Sequence, residues 1–334
     1  MVILGILRHF ITTLGGVSMK RIALSVAVAA SLVAGAATAT VSKDLAYPSG
    51  NVSANDVANQ NYFVNHFYSF DNYGIGKKGK EVTALILRAK GSNPLTLTLE
   101  RYLNNNPKAK GVNAQDLAIF RSGKLQGTGM LITDFSDQAK SQSYEIFIPS
   151  IRKVRRFAEP ARDDAWGGSD FTFGDVTLRK PKHESHELLG KAKFAGCLGV
   201  MKDIKRNNYT QNAKIEADCS ADGKEVYKLK STANDANWWY DNRVSYIDAK
   251  TFADYRTEYF KGGKHIKTID RSWVSAGLDD PRASYWGYWY GTTLATGHET
   301  MAFIPRSVTK VNHKYKAKNL WSTRTLKKMP KKIK

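Results

Sequence analysis

Short runs of β-branched, aromatic and leucine residues alternate with turn residues along most of this chain, and that rhythm points to antiparallel sheet. "LTLTLE" is the cleanest case. In an extended chain Leu95, Leu97 and Leu99 fall on one side and Thr96 and Thr98 on the other. Comparable runs lie at 81–89, 117–122, 129–135, 144–149, 243–249, 252–260, 265–273 and 298–305, with turns such as Lys261-Gly262-Gly263-Lys264 between them. The reading is a mainly β (α+β) fold whose sheet has one buried and one wet face. Helical patterning is confined to 53–68, where Ser53 is a candidate N-cap, and "NAQDLAIF" reads as opening on a short turn.

The N-terminus sets the compartment. From Met19 the chain reads a basic pair (Lys20, Arg21), an apolar stretch from Ile22 to about Val33, and Ala37-Thr38-Ala39, the three parts of a secretory signal. Residues 1–39 are therefore expected to be upstream sequence plus a cleaved signal peptide, with Met19 as the true start. No cysteine near the cleavage site suggests a lipoprotein anchor. The expectation is a soluble protein of a Gram-negative periplasm, touching membranes only peripherally or transiently. The net charge of +21 and pI near 9.8 then point away from nucleic acid, because chromosomal DNA is out of reach. Cys197 and Cys219 fit an oxidising compartment, either as one disulfide or as two buried thiols. An outer-membrane barrel is disfavoured by charges on both strand faces in "ADYRTEYFKGGKHIKTIDRSW" and by the final "KKMPKKIK".

Catalytic signals are weak. "GIGKKG" (74–79) has dinucleotide spacing but runs into a strand instead of a helix, so it reads as a hairpin turn. In "HESHE" (183–187) the two histidines would face opposite ways on a strand and cannot share a metal, which leaves a solvated strand end. No G-x-S-x-G occurs, and no cofactor, metal or enzymatic activity is expected. Two aromatic runs, "NWWYDNR" (237–243) and "SYWGYWYGT" (284–292), hold most of the tryptophans and suit core packing or an apolar surface that meets lipid.

Residues 144–176 carry a further signal. A strand ends in Pro149, continues through the cationic cluster Arg152, Lys153, Arg155 and Arg156, and after a polar loop reaches "GSDFTFGD", containing Gly168, Ser169, Asp170, Phe171 and Asp175. This block resembles the LolA-like family of outer-membrane lipoprotein-sorting proteins, and the likeness extends over roughly 80–328. The resemblance implies a half-open antiparallel β-barrel, LolA/LolB-like, with helices or loops covering its concave face. The chain then divides into a lead-in helix region (40–80), the half-barrel (81–328) and a basic tail (329–334). The implied ligand is a lipid or a lipoprotein acyl chain, with Leu95, Leu97, Leu99, Ile146 and Ile148 as cavity-lining candidates. The implied partner is an RND-type inner-membrane exporter. Arg152, Lys153, Arg155 and Arg156 are candidates for head-group contact at the rim, the alternative being pairing with Asp163, Asp164, Asp170 or Asp175. Two other readings stand beside the carrier: an accessory protein docking on an exporter or an anionic envelope surface, and an enzyme acting on envelope lipid or glycan.

Overall fold

The computed structural model describes residues 41–79, 81–92, 94–137, 139–200, 216–315 and 320–328. The signal-like segment 1–39 and the tail 329–334 lie outside them. Helix α1 (Ala54–Asn65) begins at Ser53, whose hydroxyl accepts the Asp56 N–H while the Asp56 carboxylate accepts the Ser53 N–H. That reciprocal capping box satisfies two backbone donors that a bare helix end would leave open.

Strands β1 (Asn72–Ile75) and β2 (Lys77–Lys78) lead into a first meander: β3 (Glu81–Arg88), β4 (Leu95–Asn104), β5 (Val112–Phe120), β6 (Gly129–Phe135), β7 (Ser143–Ile148) and β8 (Lys153–Phe157). A second begins at β9 (Glu184–Lys193), makes a small hairpin of β10 (Leu198–Val200) and β11 (Glu216–Asp218), and continues. It runs through β12 (Glu225–Ala233), β13 (Asn242–Asp248), β14 (Asp254–Lys261), β15 (Lys264–Ser275), β16 (Ser284–Thr293) and β17 (His298–Phe303). Strand β18 (Thr309–Val311) pairs with β1, and helix α2 (Thr323–Lys328) follows.

In space the order is β8-β7-β6-β5-β4-β3-β17-β16-β15-β14-β13-β12-β9. The two meanders meet where β3 pairs antiparallel with β17, from Ala84 opposite Phe303 to Arg88 opposite Glu299. Strands β8 and β9 close no ladder with each other, so the sheet stays open. The Lys261–Lys264 turn is a hairpin as its sequence predicts. Gly262 and Gly263 both have positive φ (55° and 71°), which a two-residue turn of matching twist requires. "GIGKKG" likewise leads into a hairpin between β2 and β3.

Two sequence expectations need correction. "NAQDLAIF" lies wholly within β5. The sheet is also not dry on one face and wet on the other, for β3 and β4 are buried almost continuously. One face of β4–β7 is covered by the C-terminal segment: Leu320, Trp321 and Leu326 pack on Leu117, Leu131 and Phe147, and Trp321 Nε1 donates to the Tyr102 carbonyl at 2.8 Å. Cys197 and Cys219 are joined, with Cα atoms 4.1 Å apart, at the base of the β10–β11 hairpin. The hairpin lies against β14 and β15, where Arg256 donates to the Cys197 carbonyl and Asp270 accepts the Gly199 N–H.

Candidate functional site: a strapped inner face

Strands β8 and β9 are opposite edges of the sheet, so residues 158–183 must cross from one to the other. They pass over the inner face, opposite the one covered by α2, and they contain "GSDFTFGD". Most residues of that block have a mechanical part. Gly167 and Gly168 adopt positive φ (62° and 77°), allowing a tight turn in which the Trp166 N–H donates to the Phe171 carbonyl at 2.8 Å. Ser169 Oγ ties the same turn by donating to the Trp166 carbonyl at 2.6 Å. Thr172 and Asp175 reciprocate, the Thr172 N–H reaching Asp175 at 3.0 Å and the Asp175 N–H reaching Thr172 Oγ1 at 3.1 Å. This is capping-box chemistry at the start of the single π-turn Gly174–Leu178. A Cβ on Gly174 would stand 2.5 Å from Trp239 and 2.9 Å from the Arg162 carbonyl, and one on Gly291 would stand 2.7 Å from Phe171. Both glycines thus admit the strap to close approach.

Two carboxylates moor the strap. Asp170 accepts from Thr293 at 2.5 Å and Thr300 at 2.7 Å, with His298 Nδ1 at 2.6 Å, so it is fixed to β16 and β17. Asp175 accepts from Lys267 at 2.6 Å, from the Tyr259 hydroxyl at 2.6 Å and from Arg179 at 3.0 Å. Burial alone would raise the Asp175 carboxyl, but Lys267 and Arg179 outweigh it and hold it well below the usual carboxylate range.

Around Asp175 the inner face of β9 and β12–β15 is charged and nearly dry. Glu184 receives Arg243 in a bidentate pair at 2.8 and 2.7 Å and the Tyr240 hydroxyl at 2.8 Å. Its carboxyl, which burial would raise, is brought down to about 2 by Arg243 and Arg179. Arg271 pairs with Asp254, which also accepts from Asn65 of α1. The other half is apolar. There Leu85, Leu99, Trp286, Trp289, Ala302 and Ile304 surround a cavity of about 50 Å³ that Trp166, Phe171 and Val176 of the strap cap. A polar cavity of about 40 Å³ lies between α1 and the charged half, and Val176 borders both. His66 stacks on Tyr62 with centroids 3.7 Å apart, and burial lowers its imidazole to about 4.

The sequence-predicted residues divide. Leu97 and Leu99 are buried on the inner face and Leu99 lines the apolar cavity, whereas Leu95 is 49% exposed at the sheet margin. Ile146 and Ile148 share the inner side of the β7–β8 edge, half-buried, and do not line that cavity. Pro149 opens the turn into β8, accepting the Arg152 N–H at 3.2 Å. Arg152, Lys153, Arg155 and Arg156 are all exposed. By register Lys153 and Arg155 share the inner side with Ile148 and Ile146, and Arg156 the outer side with Glu145. Arg156 reaches Glu145 at 3.7 Å with its side chain 76% exposed. Asp170 and Asp175, two of the four carboxylates considered as partners for the cluster, are engaged with β14–β17 and Arg179 instead. The solvated-end reading of "HESHE" also fails at Glu184, which is buried at the centre of an ion pair. Glu184, Arg243, Asp254, Lys267 and Arg271 were missed by sequence reasoning, although strand alternation places several of them in phase with buried neighbours.

A large open antiparallel sheet with few helices is the LolA-like architecture. Three solved structures share it. One is an outer-membrane lipoprotein-sorting protein domain from Vibrio parahaemolyticus (TM-score 0.59, 15% identity, 82% of this chain and 98% of that one). The second is a DUF1329 family protein from Desulfovibrio piger (0.59, 12%, 83% and 100%). The third is a LolA superfamily protein from Nitrosomonas europaea (0.50, 11%, 82% and 100%). A family model described as "Uncharacterized protein" matches residues 113–202. No curated protein matches the sequence.

Asp175→Asn leaves Lys267 and Arg179 buried without their carboxylate, and should cost about 3–5 kcal/mol in urea unfolding. Asp163→Asn on the exposed part of the strap should stay within about 0.5 kcal/mol. A loss below about 1 kcal/mol for Asp175→Asn would show that the strap is not moored there.

Acid should weaken the fold in a defined window. His66 and His183 are both lowered to about 4 by burial, so between pH 6.5 and 4 the unfolded chain binds protons that the folded chain does not. Their contribution is complete above pH 6.5 and is lost as pH falls toward 4, amounting to roughly 3 kcal/mol for His66 and less for the more exposed His183. Thermal melts of wild type and His66→Gln across that range check it, since the variant should show a shallower decline. Parallel declines would remove His66 from the account.

Proposed function

We propose that the protein is a periplasmic carrier that shelters an acyl chain of a lipid or lipoprotein against the apolar half of the inner face. The observation that supports this most is the wall of Leu85, Leu99, Trp286, Trp289, Ala302 and Ile304, bordered by Arg101 and capped by the strap's own Trp166, Phe171 and Val176. At about 50 Å³ the cavity holds a few waters' worth of space, far below the roughly 300 Å³ of an ordinary ligand site. Cargo therefore enters by displacing the aromatic side chains of the strap. Each methylene buried offsets that loss by about 0.8 kcal/mol. Export rests on the signal-like segment at 19–39, and an RND-type exporter as donor or acceptor rests on the family resemblance alone.

The β8 edge supports a second role for the same protein. Its four exposed cations stand beside Ile151 and Phe157, which are 47% and 45% exposed. Such a strand edge suits transient contact with anionic head groups, each Lys or Arg near the surface contributing about 1 kcal/mol. This keeps the rim role of Arg152, Lys153, Arg155 and Arg156 as surface contact, and it is also how an accessory protein would dock.

Native mass spectrometry of protein taken from its own periplasm should show stoichiometric lipid. Ala302→Trp, which fills the apolar cavity, should weaken binding of the probe 1-N-phenylnaphthylamine at least tenfold with unchanged far-UV circular dichroism. Absence of both co-purifying lipid and saturable probe binding would sink the carrier reading.

A further inference from the structure

The polar cavity between α1 and the strap is walled by Arg179, Arg243 and Arg271, with Lys180 half-buried beside them, against the carboxylates of Asp175, Glu184 and Asp254. The three arginines thus face three anions in a space from which most water is excluded. One of the three anions is shared further, because Asp175 also receives Lys267. A buried positive excess is costly unless an anion joins it. Arg271 shows the deficit directly: it is only 2% exposed, and its Nε is buried with no hydrogen-bond partner.

The position of this cavity adds the second half of the argument. Val176 borders both the polar cavity and the apolar one. The Arg271 guanidinium also lies 4.0 Å from the ring centroid of Trp289, a wall of the apolar cavity. Guanidinium and indole are therefore in contact where the charged and apolar halves of the inner face meet. A ligand reaching both halves has an oxyanion at one end and a hydrocarbon at the other.

Resting on the carrier reading above, we propose that the polar cavity is an oxyanion site that takes the acidic head of a single-chain amphiphile whose tail occupies the apolar half. The size of the cavity limits the head. About 40 Å³ is room for roughly three waters, which suits a carboxylate or a phosphate and not a sugar, and the similarly small apolar cavity favours one tail over two. Arginine forks match either oxyanion through paired N–H donors. The head is thus recognised inside the fold, and the exposed cations of β8 are left for surface contact.

Titration calorimetry on delipidated full-length protein with laurate, 1-dodecanol and inorganic phosphate tests this. Laurate should bind at least tenfold tighter than dodecanol, which has the same tail without the charge, and phosphate alone should bind far more weakly than laurate. Lys180→Gln, at the half-buried margin, should cut the laurate-over-dodecanol preference at least threefold. The pair Asp254→Asn with Arg271→Gln removes both members of one ion pair and leaves no charge stranded. It should reduce the preference to near unity. Equal binding of laurate and dodecanol by the wild type overturns the oxyanion site while leaving the carrier intact. Phosphate binding as tightly as laurate overturns the amphiphile assignment in favour of a free oxyanion. Binding of neither laurate nor dodecanol overturns the carrier reading itself.

Discussion

An open sheet whose chain continues from one edge to the other has to bring that connection back across itself. Here the connection is residues 158–183, and Asp175 is where it is made fast. A strap that crosses an apolar face could slide, because dispersion contacts are not directional. A carboxylate that accepts from Lys267, Tyr259 and Arg179 at once fixes the register of strap against sheet. Asp170 adds a second point on β16 and β17, and the two together leave Trp166 and Phe171 facing the apolar half. The aromatic plug, the π-turn and both cavities follow from that placement.

The inner face is divided because the two meanders carry different alternations. In β3 and β4 the inward positions include Leu85, Leu97 and Leu99, with Arg101, paired to Asp116, as the charged exception. In β13–β15 they include Arg243, Ser245, Thr257, Lys267 and Arg271, small hydroxyls set between long cations. Small residues there leave the depth that α1 and the strap fill, and the cations find Glu184 and Asp254 at the ends of neighbouring strands and Asp175 on the strap. Buried pairs of this kind contribute little net stability compared with apolar packing of the same volume, yet breaking one is expensive. They therefore fix one arrangement more than they strengthen the fold.

Much of this was legible in the residues. The strands of the first meander follow from alternation, the α1 N-cap from Ser53 and Asp56, and the β14–β15 turn from two adjacent glycines. What strand patterning could not supply was partner identity. Arg243 and Arg271 lie in runs that look like charges interrupting a sheet face, and their partners Glu184 and Asp254 stand on other strands. Lys267 meets its carboxylate, Asp175, only because the strap crosses the sheet. The "GSDFTFGD" block was recognisable as a unit, but its meaning as two moorings flanking a plug depends on strands far away in sequence. The dense cluster at 152–156 stands out in the sequence, whereas the buried cations of the inner face are isolated residues in strand interiors and do not.

These energetic differences also decide which part of the strap yields on the carrier reading. Releasing Asp175 would strand Lys267 and Arg179 in a dry site, at about 3–5 kcal/mol for a broken buried pair. Releasing the turn at 165–171 exposes Trp166 and Phe171, at about 2–3 kcal/mol for each large apolar side chain, together with the Asp170 contacts. The bond to His298 lies at the wetter end of that mooring, since the imidazole side chain is 28% exposed. An acyl chain of about ten methylenes returns roughly 8 kcal/mol on entering the vacated space. Only the release of the turn opens space that the acyl chain refills, so the motion the cargo favours is a swing of the Trp166–Phe171 turn, with Asp175 still bound. That motion enlarges the apolar cavity while preserving the charged wall, so tail and head sites can be occupied together.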